Sequence, residues 1–232
     1  MKRKLLLFGL LAVLINMSYS QKILFQEHLK DYSIPGTKGQ GLKSYKHGYF
    51  GIGFILPLPD TTIAIMMPAS YNYTLGLRLK RKITHTFSVG MDYNLNVSRF
   101  RFKQTADKVV PDTIMHKKQT NIFYAASAGV YGRITYGRHG NYIGKYVDIG
   151  IKGDWYFAGR LSTTDKKDGQ KSVNYTWGMK QFQPLNGHAF LRMGLNRYAI
   201  DFSYRLLSMY KPAYYVKELP PFSVGVEVGF FK

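Results

Sequence analysis

From Tyr49 to the C-terminus, apolar residues recur on every second position, in run after run. Between Tyr146 and Leu161, the residues Val147, Ile149, Ile151, Trp155 and Phe157 share one parity, while Asp148, Gly150, Lys152 and Asp154 share the other. A helix would scatter these side chains around its surface, whereas a strand sorts them onto two faces. The same split sets Tyr71, Tyr73, Leu75, Leu77 and Leu79 against Arg78 and Lys80. It also sets Phe87, Val89, Met91, Tyr93, Leu95 and Val97 against Ser88, Asp92, Asn94 and Asn96. Near the C-terminus it separates Tyr198, Ile200, Phe202 and Tyr204 from Asp201, Ser203 and Arg205, then Val224, Val226 and Val228 from Gly225, Glu227 and Gly229. Residues 48–57 and 120–136 alternate more loosely, and 187–195 most weakly, with Leu191 and Met193 opposite Arg192. The pattern predicts eight strands.

Their connections alternate in length. Long links fall at 60–69, 103–119, 162–185 and 210–221, and short ones at 81–82, at 137–145 and at Asn196. A meander of antiparallel strands with that alternation carries every long loop at one end, the sidedness of an outer-membrane barrel. Size decides which face meets which medium. Eight strands enclose a space that side chains just fill. The bulky stripe would overfill it, whereas the Gly-, Ser- and Asn-rich stripe fits. The expected fold is therefore an all-β, eight-stranded antiparallel transmembrane β-barrel, an up-and-down meander with a plugged polar lumen. The competing arrangement is a soluble β-sandwich with its charges in water.

Ten charged residues within the strands share the polar stripe: Arg78, Asp92, Arg133, Asp148, Lys152, Asp154, Arg192, Asp201, Arg205 and Glu227. Buried charges persist when paired and hydrogen-bonded, so these ten residues are expected to form a lumen charge network that seals the interior. Aromatics near strand ends, among them Tyr49, Phe50, Tyr71, Phe100, Phe102, Tyr136, Tyr146, Trp155, Phe157, Tyr198, Phe222 and Phe230, are expected to form membrane girdles.

The N-terminus adds a compartment. Lys2, Arg3 and Lys4 precede an apolar run from Leu5 to Ile15, and Ser18 and Ser20 place small side chains before Gln21, which reads as a cleaved signal peptide over 1–20. The eleven-residue apolar run is too short for a spanning helix, which needs about 18 residues or more. Residues 21–46, basic and broken by Pro35, Gly36, Gly39 and Gly41, read as an irregular periplasmic lead-in, and 47–232 as the barrel. Loss of the three leader cations lowers the formal charge from +20 to +17. Export argues against nucleic acid as the partner of that charge. With no Cys, the chain has no disulfide framework and no thiol nucleophile.

The eight alternating segments, the Ser18-Tyr19-Ser20-Gln21 junction and the terminal run Gly229-Phe230-Phe231-Lys232 resemble the small outer-membrane β-barrel family of Gram-negative bacteria, especially its Bacteroidota type. The resemblance implies insertion by the barrel-assembly machinery, which reads a C-terminal aromatic residue. This chain ends one residue later, in Lys232, so Phe230 or Phe231 would carry that signal. Family members include adhesins, envelope-stability proteins, secretion accessories and a few lipid-A enzymes, so the resemblance implies a place rather than a task.

Patterns that would carry chemistry are few. None of the six His has a metal-ligand spacing, and no cofactor is expected. No His-x-Ser pair occurs. His85 and Ser88 are three apart and face opposite sides of a strand, and Ser203 with Asp201 faces inward. Catalytic residues are expected to be none, and the chain is read as non-enzymatic. Lys103, Lys108, Lys117 and Lys118 cluster in the second long loop, where lipopolysaccharide phosphates would attract them or water would solvate them. The first loop holds Ile63, Ile65, Met66 and Met67, which either cap the barrel mouth or contact a partner. The expected role is envelope integrity or surface interaction through basic external loops, with outer-membrane lipid and lipopolysaccharide as surroundings. The alternatives are an accessory subunit of a secretion or envelope assembly, with an envelope protein as partner, and a lipid-A-modifying enzyme.

Overall fold

A computed structural model describes residues 42–57, 63–105, 108, 112, 114–136, 144–167, 170–178, 180–211, 213 and 217–230. The expected signal peptide, most of the lead-in and Phe231 lie outside these residues. Among the described residues there are nine strands: β1 (Ser44–Leu56), β2 (Tyr71–Lys82), β3 (Phe87–Arg101), β4 (Lys118–Tyr136), β5 (Lys145–Lys167), β6 (Gln170–Trp177), β7 (Leu185–Leu195), β8 (Tyr198–Arg205) and β9 (Phe222–Phe230). Each pairs antiparallel with its neighbours, and β9 returns to β1 from Gly48↔Phe230 to Leu56↔Phe222. Eight strands thus close a ring in the order β1-β2-β3-β4-β5-β7-β8-β9. Closure leaves no free edge within the ring.

The ninth strand corrects the expectation of a long third loop. Strand β5 continues past the ring, and β6 folds back on it from Arg160↔Trp177 to Lys167↔Gln170. Val173, Tyr175 and Trp177 alternate with Asn174 and Thr176, so the period was present in the sequence. The β2–β3 turn also lies later than expected, at residues 83–86, closed by the Ile83 and Thr84 amides donating to the Phe87 carbonyl. The β7–β8 turn is tight because Asn196 adopts φ 52°, a left-handed conformation that Asn tolerates better than most residues.

Alternation becomes inside and outside. Leu77 is 62% exposed while its neighbour Arg78 is 2% exposed. Outward-facing Leu75, Met91, Leu95, Val130, Ile149, Ile151, Leu191, Ile200 and Val226 surround the ring, while Arg78, Asp92, Arg133, Asp148 and Arg192 are buried within it. A second buried region lies at the long-loop end. Ile55, Ile63, Ile65, Phe100, Phe102, Phe123, Tyr156, Phe182, Met209, Tyr210 and Leu219 form one apolar cluster there. Ile63 and Ile65 of the first loop therefore pack into the mouth, whereas Met66 and Met67 stay exposed.

Candidate functional site

Three Arg and four carboxylates connect strands that are far apart in sequence. Arg78 contacts Asp92 at 3.0 Å and Glu227 at 2.8 Å. Arg133 holds Asp148 in a fork, at 2.7 Å through Nε and 2.8 Å through Nη2. Arg192 binds both groups together, reaching Glu227 at 2.8 Å, Asp148 at 3.1 Å, Asp92 at 3.2 Å and Asp201 at 3.7 Å. The Tyr49 hydroxyl donates to Asp92 at 2.5 Å, and the Arg78 guanidinium lies 4.0 Å from the Tyr49 ring centre. Planar guanidinium forks suit this role because each can serve two carboxylates at once. The network ties β2, β3, β4, β5, β7, β8 and β9 across the interior.

Seven of the ten expected network residues join this cluster. Asp154 sits apart, paired with the His188 ring at 2.5 Å. Arg205 belongs to the mouth, where it contacts Glu218 at 3.1 Å and the Leu219 carbonyl at 2.5 Å. Lys152 lines a small interior cavity of about 30 Å³ beside Arg192, Asp201 and Glu227.

Several aromatics expected at the girdles face inward instead. Tyr49, Tyr146, Phe100 and Phe102 are buried. Tyr49 and Tyr146 fit because each stands opposite a glycine across the ladder: Tyr49↔Gly76 and Tyr146↔Gly194. Two more inward rings follow the same rule, in the pairs Gly90↔Tyr131 and Gly150↔Phe190. A Cβ on Gly194 would stand 2.1 Å from the Tyr146 ring, and one on Gly90 would stand 2.3 Å from Tyr131. Parity alone fixes a face, and these pairs required the register as well. The outward set that remains does form two rims: Phe87, Tyr136, Tyr198 and Phe230 at the short-turn end, and Phe54, Tyr73, Trp155, Phe157 and Tyr204 at the other.

The basic second loop divides. Lys108 is buried, its ammonium donating to Gln104 at 3.1 Å, Asp112 at 3.1 Å, the Ile114 carbonyl at 2.5 Å and Gln119 at 2.7 Å. It therefore organises the loop instead of presenting charge. Lys103, Lys117 and Lys118 are exposed. Burial alone would raise the Asp112 pKa, but hydrogen bonds from Lys108 and Gln119 and the nearby charges hold it below its ordinary value. The same loop reaches the β5–β6 hairpin through His116, whose Nδ1 lies 2.9 Å from both Asp165 carboxylate oxygens.

For catalysis, the described residues offer little arrangement. Ser88 and Ser203 are buried inside the ring and His85 is exposed in a turn. Among the described residues no group of three His, Cys, Asp or Glu could hold a metal ion, and no helix is long and apolar enough to cross a membrane.

No family model and no curated protein matches the chain. Among solved structures, Ail, the attachment invasion locus protein of Yersinia pestis, in complex with the heparin analogue sucrose octasulfate, is similar over 81% of this chain and 97% of its own. The identity is 12% and the TM-score 0.34, a likeness too distant to assign either fold or task.

Proposed function

We propose that the chain is a sealed transmembrane β-barrel of a Gram-negative outer membrane, of the small-barrel kind its sequence resembles, and that it serves the envelope without catalysis. One observation carries this reading: the ring has its polarity reversed relative to a soluble protein, with large apolar side chains outside and salt bridges inside. On β3 the outward stripe runs from Phe87 to Val97 without a charge. The ten steps between these eleven residues, at about 3.3 Å each and tilted by about 40°, span about 25 Å, the height of the apolar band on membrane barrels. In water such a surface would expose an apolar area far beyond that of ordinary soluble proteins.

A sealed interior argues against transport, because the salt-bridge network and the apolar mouth cluster both obstruct the axis. Action then falls to the outer wall and the loop end. Deleting the gene and challenging cells with bile salts and large antibiotics tests the role. Increased sensitivity with an unchanged lipid-A mass spectrum is expected. Unchanged sensitivity would overturn the envelope role, and an altered lipid-A mass would overturn the non-enzymatic reading.

A second reading, docking within a larger assembly, is favoured by one element. Every residue of β6 is exposed, and among the described residues β6 pairs only with β5. Capture in mild detergent would support it through one stoichiometric partner lost when the hairpin is removed.

A further inference from the structure

Outside the ring, at the long-loop end, the register places basic and aromatic residues in one row. Tyr71 stands opposite Arg99, Arg99 opposite Ile122, Ile122 opposite Arg160, and Arg160 opposite Trp177. Directly opposed residues share a face, so all five project from the same side of the sheet. Arg101 lies one level above Arg99 on that face, and Lys118 lies beyond it on β4.

The two central arginines are held by rings. Arg99 lies 5.5 Å from the Tyr71 ring centre and donates to the Tyr71 hydroxyl at 2.8 Å. Arg160 lies 5.0 Å from the Tyr175 ring and 5.5 Å from the Trp177 ring. Stacking fixes a guanidinium plane while leaving its N–H edge available. The Nε of each arginine is buried without a hydrogen-bond partner among the described residues. No carboxylate lies within ion-pairing distance of Arg99, Arg101, Lys118 or Arg160 among the described residues, and the nearby Asp165 is engaged by His116.

One level below, Tyr73, Val97 and Tyr124 continue the same face as an apolar surface. Tyr124 stacks on Trp177, with ring centres 6.4 Å apart. The wall therefore presents a cationic row immediately above an apolar one, the complement of an anionic headgroup carried on acyl chains. Arg99 and Arg160 are two strands apart, about 10 Å, a span that suits a headgroup bearing more than one phosphate.

We infer that this wall of β2–β6 is a binding site for a phosphorylated, acylated glycolipid of the outer leaflet, its phosphates held by Arg99 and Arg160 with Arg101 and Lys118 above. The inference rests on the transmembrane reading. It also moves the lipopolysaccharide contact expected of Lys103, Lys108 and Lys117 onto arginines of the strands, and keeps Lys118, the first residue of β4.

Native mass spectrometry of the full chain in detergent tests it, with bisphosphorylated lipid A, dephosphorylated lipid A, phosphatidylglycerol and inorganic phosphate as separate probes. Arg99→Gln/Arg160→Gln should weaken retention of bisphosphorylated lipid A about tenfold. Arg81→Gln/Lys145→Gln, which removes two charges from the other end, should change it less than about twofold. Equal losses in both variants, equal retention of dephosphorylated lipid A or phosphatidylglycerol, or comparable binding of free phosphate would overturn the site. Heat-modifiable migration in gels confirms that each variant is folded. A chain that proves soluble and folded without detergent fails the transmembrane reading before any lipid is added.

Discussion

Arg192 meets carboxylates from four strands, and no other described side chain joins as many. Replacing it leaves the buried Asp92, Asp148 and Glu227 and the partly buried Asp201 with Arg78 and Arg133 as their remaining guanidinium partners among the described residues. Arg192→Met should therefore cost about 3–5 kcal/mol, the range for breaking a buried pair from one side. Denaturant unfolding of the refolded protein in detergent would measure this, and Arg192→Lys should recover only part because Lys lacks the fork. Glycine substitutions separate packing from chemistry. Gly194→Ala places a Cβ 2.1 Å from the Tyr146 ring and should destabilise by about 1–3 kcal/mol. Gly153→Ala meets nothing nearer than 3.9 Å and should be close to neutral in the same assay. The sequence showed that Arg192 faces the same way as Asp201 and Glu227 on neighbouring strands. It could not show that Gly194 lies under Tyr146, because a cross-strand pair depends on register between segments almost fifty residues apart.

At the scale of elements, alternation located the eight ring strands to within a few residues, because a two-sided environment imposes period two along each of them. Past Arg160 the chain leaves that environment: β6 is exposed on both faces, and its alternation at Val173, Tyr175 and Trp177 follows Lys166, Lys167, Asp168, Gly169 and Lys171, whose composition is that of a loop. The ring closes through β4, β5 and β7 without this hairpin. Replacing residues 165–172 by Asn-Gly, a favoured two-residue turn, should leave heat-modifiable folding intact; loss of folding would show the hairpin to be structural. The second loop carries its own prediction. Asp112 has a depressed pKa, so its contribution is fully present above the ordinary carboxylate value and lost as pH falls through the lower, folded one. The protection factor of the Ile114 amide, which donates to Asp112 at 3.1 Å, corrected for the intrinsic pH dependence of exchange, should hold from about pH 7 to 5 and fall only below the ordinary carboxylate range of about pH 4. Protection that persists well below that range would remove Asp112 from the clasp.

Across the whole molecule, the reversed polarity underlies every proposal above: a sealed interior, a glycolipid-binding wall and loops as the acting surface. Its direct test is the depth of individual outward positions, and the absence of Cys from the chain makes single-site labelling clean. Fluorophores placed through Cys at Leu77, Met91 and Ile151, in protein reconstituted into bilayers of lipids brominated along their acyl chains, should be strongly quenched. Fluorophores at Arg81 and Lys145, near the short-turn end, should be quenched far less. Weak quenching at all five positions, with a folded monomer recovered in the absence of detergent, would contradict a lipid-facing exterior.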